Sequence, residues 1–308
     1  MTTVRWLFAP AVENVPRSHA VAGTVLRILV GLLWLYNVSW KRPPDFGRDS
    51  GNGVFGFAED AVDNPVFPPF SWVVEHAVLP NFTAFGWAVL VVETALAVLL
   101  LTGAYVRLAA LIGIAQSLAI GLSVAQTPGE WPWSYWMMIG IHVVLLFSAA
   151  GSVLAVDALR SRRTHHRDWR PLSLGWGVVV SVAAVIALLV SLGDDVFAAS
   201  GARLGGAGLS IGLGSYNLAG SIVLLVCGLA LLGATLARSH ALAIVTAVIG
   251  AAAAIVLHAQ SASSDSALGG TNTSAAFVLT AALVGAAVWN TGRRQWVEAD
   301  PEPVRAQP

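Results

Sequence analysis

The sequence predicts an all-α integral membrane protein that crosses the bilayer about eight times. Of its 308 residues, 56% are hydrophobic and only 11% are charged, and the mean hydropathy is +0.72. A soluble domain needs more polar surface than this composition supplies. The apolar stretches are long and lack the alternating pattern of a transmembrane β-barrel, so helices are the expected spanning elements.

The predicted helices follow one another along the chain, each close to the length of about 20 residues that spans a bilayer. They cover residues 20–40, 83–103, 106–125, 133–155, 173–192, 216–236, 241–259 and 274–290. The first lacks a small-residue cleavage site, so we interpret it as a retained span and not as a signal peptide. The longest loop, 41–82, contains an apolar stretch at 66–79 that ends before Pro80, which predicts a short helix in the membrane interface.

The arginines are distributed unevenly between the two sides of the predicted bundle, which indicates its orientation. If eight spans alternate, most arginines share one side, namely Arg5, Arg17, Arg107, Arg160, Arg162, Arg163, Arg167, Arg170, Arg238, Arg293, Arg294 and Arg305. The other side carries many acids and only Lys41, Arg42, Arg48 and Arg203 as basic residues. The positive-inside rule then places both termini in the cytoplasm of a multi-pass plasma-membrane protein.

The polar segment from Arg160 to Arg170 divides the chain into two units of four helices, 1–171 and 172–308. Both units have the same order of helix, outer loop, helix, arginine-containing turn, helix, outer loop and helix. Either a tandem duplication or alternating topology alone explains the similarity. The role of the second unit is not apparent from its sequence.

Charge and cysteine content exclude several classes of function. The 17 basic and 17 acidic residues give no net charge, so no overall field attracts nucleic acid. The single cysteine, Cys227, excludes an internal disulfide, a cysteine-based zinc site and an iron-sulfur cluster built by this chain alone. We therefore expect no metal cofactor, and electrons that pass through this protein need a bound carrier.

Ionisable side chains inside the spans are the strongest functional signals, because burying a charge in lipid is costly. Arg27, Glu93 and His142 qualify, and Gln116 adds a polar group. Counting helix rise places Glu93, Gln116 and His142 roughly 12 to 15 Å below the outer boundary, with Arg27 roughly 20 Å below it. We expect an Arg27–Glu93 ion pair, which is either purely structural or part of a site where Arg27 or His142 contacts a ligand and Glu93 relays a proton.

Cationic and aromatic residues cluster at the predicted outer boundary. Lys41 and Arg42 follow the first helix, and Trp133 and Tyr135 open the fourth. They frame an entrance for an anionic or aromatic head group, or else serve as ordinary interfacial anchors. Lys41 is the only lysine, which the arginine-rich composition explains better than Schiff-base chemistry does.

The segment from Leu26 to Asp157 resembles the DoxX/DoxD family, which includes the small subunit of thiosulfate:quinone oxidoreductase. Lys41 and Glu93 carry the resemblance, together with the sequences at 26–33, 102–110 and 150–157. In that family an arginine of the first helix and a glutamate of the second occupy the positions of Arg27 and Glu93. The resemblance covers about half of the chain and leaves the second unit unexplained.

The resemblance implies a membrane subunit of a quinone-linked oxidoreductase, with a quinone head group held in the first helix bundle. Catalysis would fall to Glu93, Arg27 and His142, and the candidate binding residues are Arg27, Glu93, Gln116, His142, Trp133, Tyr135, Lys41 and Arg42. Expected partners are membrane lipid and a soluble or membrane redox subunit, and a homo-oligomer remains open. The alternative is a non-enzymatic scaffold, lipid-binding or transport protein in which the buried ion pair is structural.

Overall fold

The computed structural model describes residues 3–51, 53–161, 168–193, 202–204, 212–260 and 267–299. The chain ends and several of the predicted cytoplasmic arginines, namely Arg162, Arg163, Arg167 and Arg305, lie outside these residues. Helices dominate the described part of the chain, and a single short antiparallel pair of strands accompanies them. This confirms the prediction of an all-α polytopic membrane protein.

In the first half of the chain, the described residues form eight α-helices. They are α1 (Thr3–Leu7), α2 (Arg17–Ser39), α3 (Gly53–Asp63), α4 (Pro68–Val73), α5 (Phe82–Thr102), α6 (Val106–Val124), α7 (Pro132–Phe147) and α8 (Val156–Arg160). The second half contains β1 (Ala202–Leu204), β2 (Gly214–Tyr216) and helices α9 (Arg170–Ser191), α10 (Leu218–Leu236), α11 (His240–Gln260) and α12 (Asn272–Ala299). Below, the outer side is that of the loop 41–82, and the inner side is that of α8.

Seven helices of the described chain are long and apolar enough to cross a membrane. They correspond to all the predicted spans except 133–155, where α7 has only 16 residues and ends at Phe147. Residues 148–155 are irregular instead, and Leu154 has a positive φ of 45°. Most of this segment is packed against the protein interior, where its residues are buried or partly buried without forming a helix. The apolar pattern therefore predicted a helix longer than the one that forms.

The stretch 66–79 is helical from Pro68, as predicted, but this helix is continuous with the following span and is not a separate element. The chain is helical without interruption from Pro68 to Thr102, through a π-helical turn at Val74–Val78 and a 3₁₀ turn at Leu79–Asn81. Pro80 cannot donate a main-chain hydrogen bond, and the irregular turns accommodate it without ending the helix. The outer loop also contains α3, which the sequence analysis did not predict.

Helices pair within each half, α2 with α5 and α6 with α7, then α9 with α10 and α11 with α12. Helix α12 also packs against α2 and α5, so its contacts extend from the second half into the first. About two-thirds of its apolar window is buried, the highest share among the seven long helices. The second half therefore supports the first directly, through α12.

Candidate functional site

A cavity of about 270 Å³ lies at the outer end of the first half of the chain. The end of α2, the outer elements α3 and α4, and helices α5, α6 and α7 surround it. Most of the lining is apolar and consists of Val54, Phe57, Ala58, Phe70, Val73, Val74, Val78, Phe85, Val89, Ala119, Ile120 and Val124. The groups with polar atoms are Asn37, Trp40, Lys41, Glu93, Gln116, Ser123 and Tyr135. Such a cavity suits an apolar molecule with a polar end.

Lys41 and Glu93 form a buried ion pair beside this cavity, each with its side chain only 2% exposed. Gln116 Nε2 donates a hydrogen bond to Glu93 Oε1 at 3.2 Å. Lys41 Nζ also donates to the Asn37 carbonyl at 2.9 Å and lies 3.8 Å from the centroid of the Trp40 ring. The cavity wall therefore holds an ammonium group, a carboxylate and an amide within one connected polar cluster.

The position of Lys41 explains how a residue of the outer loop reaches a glutamate inside a span. Lys41 follows the end of α2, and its long side chain turns back to the Asn37 carbonyl, one helical turn earlier. Burial lowers the pKa of the Lys41 ammonium, and the charge and hydrogen bond of Glu93 oppose that shift. The sequence analysis listed both residues as candidates but did not pair them.

The second half of the chain contributes to the same cluster through the first residue of α12. Asn272 Nδ2 donates a hydrogen bond to the main-chain carbonyl of Lys41 at 2.8 Å. Asn272 is only 5% exposed, so this bond is shielded from water. The contact fixes the backbone that carries the lysine, which gives part of the second half a role that the sequence did not indicate.

The predicted Arg27–Glu93 ion pair is wrong. Arg27 Nη1 donates to the carbonyls of Leu100 and Leu101, at 2.6 and 3.0 Å. Its Nη2 donates to the carbonyls of Val153 and Leu154, at 3.5 and 3.0 Å. Carbonyls in the last turn of a helix have no partner within the helix, and they carry the negative end of its dipole. Arg27 satisfies those of α5 and does not line the cavity.

Gly103 explains how the guanidinium comes so close to the end of α5. This residue caps the helix in the left-handed conformation, with φ of 66°. A Cβ atom at this position would lie 2.5 Å from Arg27 Nη1. Glycine is therefore required both by its backbone conformation and by the space that the arginine occupies.

Asp157 forms the centre of a second polar cluster, on the inner side. Its Oδ1 accepts from the amide of Tyr105 at 3.0 Å and from Arg160 Nη1 at 2.6 Å. Its Oδ2 accepts from the amides of Val106 and Ala11, at 3.1 and 3.2 Å. The carboxylate thus caps α6 and ties the N-terminal segment to the turn after α5. These contacts assign a structural role to the segments 102–110 and 150–157.

His142 is buried and has a partner for each ring nitrogen. The indole N–H of Trp34, which can only donate, bonds to His142 Nε2 at 3.0 Å. Nε2 is therefore the acceptor, and Nδ1 carries the proton that it donates to the Met138 carbonyl at 2.7 Å. Gly113 provides space for the ring, since a Cβ there would collide with it. This geometry makes His142 a packed, neutral histidine away from the cavity lining.

The remaining candidates from the outer boundary separate into two groups. Tyr135 lines the cavity, and its hydroxyl donates a hydrogen bond to the Glu130 carboxylate. Trp133 is 55% exposed and packs edge to face against Trp131, whereas Arg42 is exposed outside the lining. Of the eight site candidates, Lys41, Glu93, Gln116 and Tyr135 come together around the cavity, and Arg27, His142, Trp133 and Arg42 do not.

The chemistry available at this cavity is hydrogen bonding and proton transfer. Lys41 and Gln116 can donate to a ligand oxygen, and Glu93 can accept or release a proton. Among the described residues, no three His, Cys, Asp or Glu side chains are placed to hold a metal ion together. Comparisons of this chain with family models, curated proteins and solved structures gave no match.

Proposed function

We propose that the protein is a plasma-membrane subunit of a quinone-linked oxidoreductase that binds a quinone beside Lys41, Glu93 and Gln116. The observation that carries this proposal is an apolar cavity in a membrane protein with an ammonium, a carboxylate and an amide in its wall. Quinones combine an apolar ring and tail with carbonyl oxygens. The resemblance to the DoxX/DoxD family, in which Glu93 matches a family glutamate, supports the same class of ligand.

The lining fits such a ligand in two respects. Aromatic and aliphatic side chains make up most of the wall, as in other sites for apolar molecules. Phe57 and Val73 are 38% and 46% exposed, so apolar surface continues outward from the lining. A lipophilic tail can lie over this surface within the membrane while the head group occupies the cavity.

Reduction of a bound quinone to a quinol takes up two electrons and two protons. Lys41 and Gln116 would hold a carbonyl oxygen by donating hydrogen bonds to it. Glu93 holds both donors in place through its own bonds to them, and it would take up one proton from water and pass it to this oxygen. The second proton would reach the other quinone oxygen from water at the mouth of the cavity. The electrons would come from a redox partner subunit or a soluble donor, because this chain cannot build an iron-sulfur centre with one cysteine.

The experiment that tests this proposal compares bound quinone in the wild-type protein and in two carboxylate variants. Each protein is purified in mild detergent, analysed by native mass spectrometry and extracted for quinone. We expect quinone with the wild type, none with Glu93→Gln, and a wild-type amount with Glu13→Gln. The control removes a carboxylate that pairs with Arg107 at 2.9 Å on the inner side, far from the cavity.

Two results would contradict the proposal. The first is quinone that remains bound to a folded Glu93→Gln protein at the wild-type level. The second is a wild-type protein that contains no quinone and takes up none when a quinone is added. Either result would favour the non-enzymatic alternative, a scaffold or transport protein in which the Lys41–Glu93 pair is structural.

A further inference from the structure

A second cavity, of about 200 Å³, lies on the inner side between α8 and α12. Val156, Leu159 and Leu283 form an apolar part of its wall, and Arg160 and Asn290 are polar residues of its lining. Asn290 lies within the last turn of the apolar stretch of α12, which ends at Arg293. The cavity therefore extends from the membrane boundary into the apolar region, as a site for a lipid would.

Arg160 is the charged residue among those that line this cavity. Asp157 pairs with Arg160 and also interacts electrostatically with Arg27, so two guanidinium groups face one carboxylate. Arg160 is held in place by its bonds to Asp157 and to the Phe8 carbonyl, at 2.6 and 3.0 Å, while its side chain remains 24% exposed. A fixed, partly exposed cation with surplus positive charge behind it favours an anionic ligand.

Two further features support an anion at the mouth of the cavity. Arg160 lies over the Tyr105 ring, 3.6 Å from its centroid, which holds the guanidinium plane in position. Arg293 follows Asn290 by three positions on α12, so it lies on a neighbouring part of the same helix surface, and it is exposed. The sequence analysis also places most arginines on this side of the membrane.

We propose that this cavity binds an anionic phospholipid, with its phosphate at Arg160 and Asn290 and an acyl chain against the apolar wall. Basic pockets between transmembrane helices on the cytoplasmic side characteristically bind anionic lipid head groups. The lipid would contact α8 of the first half and α12 of the second, and so join the two halves on the inner side. This site shares no lining residue with the outer cavity and does not depend on quinone binding.

The test is a native mass spectrometry titration of the full-length protein in detergent. The lipids are phosphatidylglycerol and phosphatidylcholine with identical acyl chains, and inorganic phosphate is titrated separately. We expect the wild type to prefer phosphatidylglycerol by about fivefold or more, since one arginine near a membrane surface contributes about this factor. Arg160→Gln should remove the preference, whereas Arg238→Gln, at another exposed arginine assigned to the same side, should keep it.

A second variant leaves every charge intact, because Arg160→Gln also disturbs Asp157 and can impair folding. Ala286→Leu fills the cavity from α12, and Ala252→Leu adds the same bulk at an exposed position of α11. We expect Ala286→Leu alone to weaken phosphatidylglycerol binding. Equal binding of both lipids, unchanged binding in folded Arg160→Gln and Ala286→Leu proteins, or binding of inorganic phosphate as tight as that of the lipid would each overturn the proposal.

Discussion

The two buried charge clusters of the first half differ in what surrounds them. On the inner side, Arg27 and Asp157 bond to main-chain groups on several segments, and within the described part of the chain Arg160 is the one charged partner bonded to either of them. On the outer side, Lys41 and Glu93 pair with each other beside a cavity. Burial of a charge is equally costly in both places. The comparison teaches that the partners of a buried charge, and not its burial alone, distinguish a structural cluster from a candidate binding site.

The largest effect on stability should follow from removing Arg27. Arg27→Met removes the guanidinium that donates to four main-chain carbonyls, of which two keep a further donor, the Gly103 amide or the Thr24 hydroxyl. Asp157 also loses one of its neighbouring cations, so we expect a loss of about 4 kcal/mol or failure to fold. Folded yield and apparent melting temperature in detergent measure this effect. A second substitution, Glu93→Gln, should give no recovery, because the two residues are not partners. Recovery of stability in the double variant would instead support the Arg27–Glu93 ion pair that the sequence analysis expected.

Single substitutions in the outer cluster should cost less stability, and a second substitution should recover most of that loss. Lys41→Met or Glu93→Gln alone leaves one buried charge without its partner, at a cost of about 3 kcal/mol. The double variant removes both charges and should recover most of that stability, which a double-mutant cycle measures from the apparent melting temperatures of the wild type, the two single variants and the double variant. Losses that simply add would show that the two side chains are not coupled.

The fold was largely predictable from apolar patterning, and the partners of individual side chains were not. Spans such as α5 and α6 have the length and composition that the bilayer requires, so their positions followed from the sequence. Depth counting brought Glu93 and Gln116 to one level, and the two side chains do bond. The count could not show that the Lys41 side chain folds back along α2, because it locates main-chain positions and not the ends of long side chains.

The end of α7 shows a different limit of the sequence. Residues 148–155 are mostly small or apolar, which is equally compatible with a helix and with a buried irregular segment. The deciding contacts are distant in sequence: the Gly151 amide donates to the Ala11 carbonyl, and the Asp157 amide donates to that of Gly103. An aspartate immediately after an apolar stretch was the one available signal that this segment ends in a cap.

The smallest effect should come from the contact between the second half and the outer cluster. Asn272→Leu keeps the approximate shape of the side chain, adds no charge and removes the donor to the Lys41 carbonyl, so we expect a loss of about 1 kcal/mol in stability. Because the lysine is then held less firmly, quinone affinity should fall by about fivefold, an equivalent free energy. Asn81→Leu, at an exposed position on the outer side, is the matched control and should leave affinity unchanged.

An unchanged quinone affinity in Asn272→Leu, together with the expected loss of stability, would make this contact purely structural. The second half would then have no influence on the outer cavity through α12. A loss of affinity without a change in folding would instead show that Asn272 positions the lysine for binding.

The central claim is that the outer cavity beside Lys41 and Glu93, and not the inner cluster, is the quinone site. The most direct test titrates two variants of the same helix with quinone. Quenching of tryptophan fluorescence reports the binding. Ala119→Phe fills the cavity, and Ala115→Phe adds the same ring one turn away at an exposed position. We predict that the first loses quinone binding while remaining folded and that the second binds as the wild type does. Equal binding by both folded variants would contradict the assignment of the site.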